Sequence, residues 1–191
     1  MQVDLVTIPY RYDAADEGLG LGPAALTASG LAARMASLGV QLSPARRAIL
    51  ADADRVPNSP ALNIGRLGAS TAGLLAESVA ARRPALVLAG DDTAAVGIVA
   101  GVQLGAPGTT IGLVWIDAHG AFNTPETSFS GILAGMPVAI IAGLAGPRWR
   151  EAAGLTDPIP PERILEIGVR ELDRQEEALL RAHGVRVVHA G

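Results

Sequence analysis

The 191-residue sequence contains no cysteine and no lysine, and each absence excludes a kind of chemistry. Without cysteine the chain has no disulfide, no thiolate nucleophile and no cysteine-ligated zinc. Without lysine it has no side chain that forms a Schiff base with a carbonyl substrate. Hydrophobic residues make up 49% of the sequence but aromatic residues only 3%, so aliphatic side chains and alanine must build the core.

Strong positive charge and long apolar runs are also missing. The net charge of −4 gives no electrostatic reason to expect nucleic acid or an anionic membrane as a partner. No apolar run is long enough to span a bilayer, and residues 1–5 do not resemble a signal peptide. We therefore expect a cytoplasmic protein that binds neither nucleic acid nor a membrane.

Short apolar runs alternate with helical patterns along most of the chain, which is typical of a parallel α/β sheet. The predicted strands are 3–8, 85–88, 111–116, 164–169 and 185–188. The predicted helices are 24–38, 65–82, 93–104, 133–143 and one ending near His183, with a possible short helix over 45–53. No repeat or second domain is evident, so residues 1–191 are expected to form a single domain.

Acidic residues and a histidine follow two of the predicted strands. Asp91 and Asp92 come directly after strand 85–88, and Asp117 and His119 come directly after strand 111–116. Because strand side chains alternate, Asp117 and His119 lie on the same face. In open parallel sheets the carboxyl ends of the strands form the edge where ligands bind. These residues are therefore candidates for a functional site.

The stretch 115–137 resembles the signature of the arginase branch of the ureohydrolases. The family motif reads Asp-Ala-His-Gly-Asp, then Asn-Thr, then Glu-Thr-Ser-x-Ser-Gly-Asn-x-His-Gly-x-Pro, and residues 117–137 follow most of it. Weaker similarity covers nearly the whole chain. The resemblance implies an α/β, three-layer arginase-like fold with a parallel sheet. It also implies that the fold is C-terminally shortened, because the family's last ligand segment has no counterpart.

The resemblance implies a chemistry that this sequence only partly retains. Ureohydrolases hydrolyse guanidinium-type substrates with two manganese ions that generate a bridging hydroxide. Asp117 and His119 match two of the metal ligands, but Asp92 replaces a histidine and Ala121 replaces an aspartate. Losing even a residue that supports a ligand costs about 10–100-fold in metal affinity or activity. We therefore expect no cofactor, with manganese as the cofactor if the metal site is retained.

Positions that contact the substrate in the family are also changed. Asn123 and Ser130 match residues that bind the amino-acid end of arginine, whereas Ile132 replaces an asparagine and Ala134 replaces a proton-shuttling histidine. These replacements predict a roomy and relatively apolar pocket, as small-molecule sites often are. The predicted substrate-binding residues are Asn123, Glu126, Phe129, Ser130, Ile132 and Ala134.

Three functional interpretations remain open. The one we favour is a repurposed pocket in which Asp92, Asp117 and His119 act as a metal-independent acid/base set on a relatively apolar small molecule. The second is a non-catalytic pseudoenzyme subunit that acts through an oligomer interface. The third is a mononuclear metal site formed by the same three residues, which would leave a residual hydrolase of C–N bonds.

Two further expectations concern the surface of the protein. A shortened sheet exposes an unpaired edge strand, which favours a homo-oligomer and most simply a dimer. The acidic residues near the last helix are expected to form its solvated face; they are Glu171, Asp173, Glu176 and Glu177. Asp117 and His119 also have a purely structural interpretation, as a hydrogen-bonded pair at a strand end. Asp91 or Asp92 is expected to cap the helix that begins near Thr93.

Overall fold

The structure, a computed structural model, describes residues 1–191. Its nine strands are Gln2–Ile8 (β1), Tyr10–Arg11 (β2), Ala14–Ala15 (β3), Gln41–Leu42 (β4), Arg46–Arg47 (β5), Ala85–Ala89 (β6), Leu113–Ile116 (β7), Ile164–Val169 (β8) and Arg186–His189 (β9). Its seven α-helices are Gly22–Ala28 (α1), Leu31–Ser37 (α2), Pro60–Ala80 (α3), Ala95–Gly105 (α4), Pro137–Ile141 (α5), Pro147–Ala153 (α6) and Arg174–Ala182 (α7). Five 3₁₀ helices cover Gly18–Leu21, Asp52–Asp54, Asp92–Ala94, Leu133–Gly135 and Pro161–Arg163.

The longer strands form two separate parallel sheets. In the first sheet β1 pairs with β4, β5 and β6, and in the second β8 lies between β7 and β9. All of these pairings are parallel, which confirms the predicted α/β class with a parallel sheet. No pairing joins β6 to β7, and only the short hairpin of β2 and β3 is antiparallel.

The edge of β7 that faces away from β8 has no strand beside it. Two apolar side chains of this strand are accessible, with Val114 58% exposed and Ile116 77% exposed. An unpaired strand with exposed apolar side chains is a surface on which another chain can add a strand. The outer edge of β7 is therefore open to pairing in this structure.

Helices cover the strands and bury most of the core. The larger apolar cluster joins α4, α5, α6 and β8, and its fully buried members include Phe122, Ile140 and Ile141. Helices α3 and α4 cross where Gly68 and Gly97 meet, and a Cβ added at Gly97 would lie 2.5 Å from the Gly68 Cα. Glycine at this crossing allows the two backbones to approach closely. None of the helices combines the length and apolarity needed to cross a membrane.

Three predicted helices differ from those observed. The helix expected over 24–38 is divided into α1 and α2, because Gly30 adopts a left-handed φ of 88° between them. The short helix expected over 45–53 is wrong: Arg46 and Arg47 pair with β1, so tertiary pairing overrides local propensity. The helix expected over 133–143 is a 3₁₀ turn followed by α5, which begins at Pro137.

Candidate functional site

A cavity of about 590 Å³ lies where the carboxyl ends of β6, β7 and β8 come together. Most of its lining residues are polar, and five of them carry carboxyl side chains. The lining residues are Asp92, Asp117, His119, Ala121, Asn123, Ser130, Ile132, Ala134, Gly135, Arg170, Glu171, Leu172, Asp173 and Glu176. The two sheets therefore contribute to one site, although no strand pairing connects them.

The two aspartates that follow β6 have different roles. Asp91 caps the 3₁₀ turn, since its carboxylate accepts hydrogen bonds from the backbone N–H of Thr93 at 2.9 Å and of Tyr12 at 2.7 Å. Asp92 lies at the accessible rim of the cavity. Partial burial raises the pKa of Asp92, and the charges of Asp117 and Asp91 raise it further. Asp91 is therefore structural, whereas Asp92 is available to a ligand.

His119 lies between two carboxylates at the mouth of the cavity. Its Nδ1 is 3.4 Å from an Asp117 oxygen, and its Nε2 is 3.4 Å from a Glu171 oxygen. The Ala118 carbonyl accepts hydrogen bonds from the Arg170 and Glu171 N–H groups at 2.9 and 3.0 Å. These backbone contacts hold the segment after β8 against the segment after β7. The site thus places Asp92, Asp117 and His119 together, as the sequence predicted.

Acidic residues at the start of α7 form another wall of the cavity. Asp173 and Glu176 make a capping box at this helix, and the Asn123 amide donates to Asp173 at 3.1 Å. Glu176 also accepts a hydrogen bond from the backbone N–H of Phe122 at 2.8 Å. Burial raises the pKa of Glu176, which is 4% exposed. A buried carboxylate that still reaches the cavity makes this wall strongly acidic.

The expectation that these acidic residues form a solvated face is wrong for Glu176, which is buried, whereas Glu171, Asp173 and Glu177 are exposed. Glu171, Asp173 and Glu176 line the cavity, whereas Glu177 lies outside it and pairs with Arg181 at 2.8 Å. The spacing of Asp173 and Glu176 is that of a capping box directly after a strand. A capping box directly after a parallel strand lies at the carboxyl edge of the sheet, where ligands bind. This spacing could have identified Asp173 and Glu176 as residues of the site.

The predicted substrate-binding residues are divided between the cavity and the surface. Asn123, Ser130, Ile132 and Ala134 line the cavity. Glu126 lies instead at a second, mainly apolar cavity of about 420 Å³ beside Trp149, and Phe129 is 95% exposed outside both. The lining is less apolar than expected, because residues from the segment after β8 contribute charged groups that the motif around Asp117 does not contain.

A buried carboxyl group lies behind the wall of the cavity. Glu166, in the middle of β8, is 0% exposed, and neither of its carboxyl oxygens has a hydrogen-bond partner. Burial raises the pKa of Glu166 to about 8, with smaller contributions from the charges of Glu176 and Asp117. A carboxyl group in this position holds its proton at neutral pH. Sequence analysis missed Glu166 because it stands inside an otherwise apolar strand.

Only some of the donor side chains that the resemblance implies for two manganese ions are present in the cavity. No group of three or more His, Cys, Asp or Glu side chains is arranged to hold a metal ion. Ala121, at the position of a family ligand, offers no donor atom and takes a left-handed φ of 49°. The donor set therefore lacks a ligand at this position.

Comparisons with known proteins agree with the fold. The sequence model of the Arginase family matches residues 1–191. The arginase of Bacillus caldovelox is 30% identical over 191 residues, covering 97% of this chain and 63% of the relative. The native structure of the Bacillus caldovelox arginase aligns with a TM-score of 0.83 at 28% identity, covering 98% of this chain and 64% of that one. The arginase structure from Bacillus cereus aligns with a TM-score of 0.84 at 25% identity, covering 99% and 64%. The chain thus spans just under two thirds of the length of these relatives.

Proposed function

The chain belongs to the arginase family, and on that premise we propose that its acidic cavity binds a small cationic molecule, a guanidinium or an amine, without a metal ion. The observation that carries this proposal is the set of five carboxyl side chains facing one arginine in the cavity. Like-charged groups that line a cleft concentrate the electric field within it and attract a ligand of the opposite sign. A cationic ligand replaces the relatively apolar molecule expected from the sequence.

The shape of the acidic wall favours a guanidinium group. Asp173 is fixed by the Asn123 amide, and Glu176 is fixed by the Phe122 N–H, so both carboxylates are oriented before a ligand arrives. Planar guanidinium groups bind carboxylates through paired hydrogen bonds, which are among the stronger kinds in proteins. The relatives with similar sequences are named arginases, and arginine carries this group. This shared chemistry supports the proposed class of ligand.

We propose Asp92, Asp117 and His119 as the residues that transfer protons to or from the bound molecule. The imidazole of His119 has a carboxylate beside each ring nitrogen, and both neighbours face the same cavity. Such an arrangement orients an imidazole for proton transfer to or from a ligand. Asp92 approaches from the other sheet and supplies a second proton acceptor. We propose this set as a metal-independent acid/base group.

Binding of n-butylguanidinium tests the proposed ligand class. We expect titration calorimetry to detect binding to protein treated with EDTA, and addition of manganese to leave the affinity unchanged. The uncharged analogue n-butylurea, of similar shape, should bind at least tenfold more weakly because it lacks the charge that the carboxylates attract. Tighter binding of n-butylurea, or binding that requires manganese, would contradict the proposal.

The Asp92→Asn variant locates that binding within the cavity. We expect the affinity for n-butylguanidinium to fall roughly tenfold, because a hydrogen bond to a charged group becomes one to a neutral group. The matched control is Asp52→Asn, since Asp52 also begins a 3₁₀ helix but lies outside the cavity. Equal losses in the two variants would show that the ligand binds elsewhere.

A second function, as a subunit that acts through an interface, is favoured by the exposed edge of β7. We propose a homo-oligomer in which this edge is covered, because Val114 and Ile116 are accessible there. Size-exclusion chromatography with light scattering should give at least a dimer at micromolar concentration. Ile116→Glu should shift it towards the monomer, whereas the control Leu38→Glu, also at an exposed apolar residue, should not. A monomeric wild-type protein would refute this prediction.

A further inference from the structure

Glu166 is a buried acidic residue that has neither a positively charged neighbour nor a hydrogen-bond donor at its carboxyl group. It lies at the centre of β8, in register with Trp115 of β7 and Val187 of β9, so neither neighbouring strand brings a charge to it. No arginine or histidine forms an ion pair with Glu166. Buried carboxyl groups without partners are uncommon in folded proteins, and each calls for an explanation in terms of strain or function.

Gly120 connects Glu166 to the cavity. The point where a Cβ would stand on Gly120 is 3.2 Å from the Oε2 of Glu166 and 3.1 Å from the Oε1 of Glu176. Only the missing side chain of a glycine leaves both carboxyl groups this close to one point. Since Glu176 lines the cavity and Glu166 does not, Glu166 stands directly behind a cavity residue.

The groups around this pair are acidic on almost every side. Glu166 is faced by Glu176 from α7 and by Asp117 from the segment after β7. Glu176 is faced in turn by Asp173, whereas His119 opposes its negative charge, and Arg170 is the one arginine that lines the same cavity. Added negative charge at Glu166 is therefore unfavourable unless a cation enters the cavity.

We infer that Glu166 is a positioning residue that couples binding of a cation in the cavity to the release of one proton. This inference rests on the proposed function, because it requires that the ligand be a cation. In the ligand-free protein the proton stays on a Glu166 oxygen. When a cation binds beside Glu176, that O–H bond breaks, the proton leaves to the buffer, and the carboxylate that remains is stabilised by the cation.

The release of a proton on binding makes the affinity for the cation depend on pH. The liganded protein holds fewer protons than the free protein, so its formation is favoured as pH rises. The pKa of Glu166 in the free protein is about 8, and the cation lowers it by opposing the repulsion from Glu176. The affinity for n-butylguanidinium is therefore expected to increase roughly tenfold between pH 6 and pH 8.

A titration without ligand tests whether Glu166 holds its proton at neutral pH in the free protein. Carbon-13 NMR of protein labelled on the glutamate side-chain carboxyl should show one signal with a midpoint near pH 8, absent from Glu166→Gln. The control is Glu162→Gln, since Glu162 is an exposed glutamate just before the same strand, and this variant should keep the signal. A Glu166 midpoint near the ordinary value of 4.5 would overturn the inference.

Calorimetry with n-butylguanidinium in buffers of different ionisation enthalpy tests whether binding releases a proton from Glu166. Wild-type protein and Glu162→Gln should release protons on binding, whereas Glu166→Gln should release none and bind with an affinity that changes little between pH 6 and pH 8. The same proton release in Glu166→Gln would overturn the inference alone. Absence of binding at both pH values would overturn the proposed function, and the coupling with it, even if Glu166 titrated near pH 8.

Discussion

Replacing Glu166 by glutamine is expected to raise the free energy of unfolding by about 3 kcal/mol at pH 7. The same replacement should have little effect at pH 4. Few single substitutions stabilise a protein by this much, since most change stability by less and in the other direction. The expectation depends on Glu166 being fully buried without a hydrogen-bond partner on either carboxyl oxygen.

The destabilisation caused by Glu166 increases as the pH rises. Burial raises the pKa of Glu166 from 4.5 to about 8, so the folded chain keeps a proton that the unfolded chain has lost. Below pH 4.5 both states hold the proton and the residue does not disfavour folding. Between pH 4.5 and 8 the unfolded state is increasingly favoured, and above pH 8 the destabilisation is constant. Glutamine does not titrate and removes this destabilisation.

Urea denaturation at several pH values measures this effect. The difference in free energy of unfolding between Glu166→Gln and wild type should grow from near zero at pH 4 to its full size at pH 8. Glu162→Gln provides the control, because Glu162 is exposed and should differ little from wild type at any pH. A difference that stays constant with pH would show that Glu166 is ionised in the folded state or that packing dominates the effect.

Gly97→Ala is expected to destabilise the protein by roughly 3 kcal/mol, at the upper end of the usual cost of overpacking. A Cβ at Gly97 would stand 2.5 Å from the Cα and 2.7 Å from the carbonyl oxygen of Gly68. Both contacts are to backbone atoms, which cannot turn aside as the end of a flexible side chain can. Helices α3 and α4 would have to separate, and the apolar contacts along their length would weaken.

Gly73→Ala is the matched control, since Gly73 lies on α3 with open space where its Cβ would be. Alanine has the better helix propensity, so this variant should gain about 0.5–1 kcal/mol. Thermal unfolding followed by circular dichroism compares both variants with wild type. If Gly97→Ala were as stable as wild type, the two helices would not pack as closely as described.

The strands could be predicted because their signal is local. The runs at 3–8, 85–88 and 164–169 are apolar and bounded by polar or glycine-containing turns, and all three form strands at nearly those bounds. The ends of β6 and β7 placed Asp92, Asp117 and His119 in one cavity by the general rule for parallel sheets. These parts of the fold and site follow from the chain alone.

Other features of the fold and the site depend on contacts between residues that are far apart in the sequence, and no local pattern predicts them. Residues 45–53 look helical by composition, yet Ala48 is fully buried and its N–H donates to Thr7 of β1 at 2.9 Å. The acidity of the cavity depends on the segment after β8 folding back onto Ala118, some fifty residues earlier in the chain. Such contacts are set by the packing of whole elements, so their effect on the site appears only in three dimensions.

The division of the strands into two sheets has a mechanical consequence for the cavity. Asp92 is anchored to one sheet, whereas Asp117, Glu171 and Asp173 belong to the other, and no backbone ladder joins the two. The two sheets are therefore held together by the packing of helices, chiefly of α3 against α6 and of α4 against α5. A ligand that binds both Asp92 and Asp173 would connect the two sheets directly. The two halves of the molecule would then unfold together.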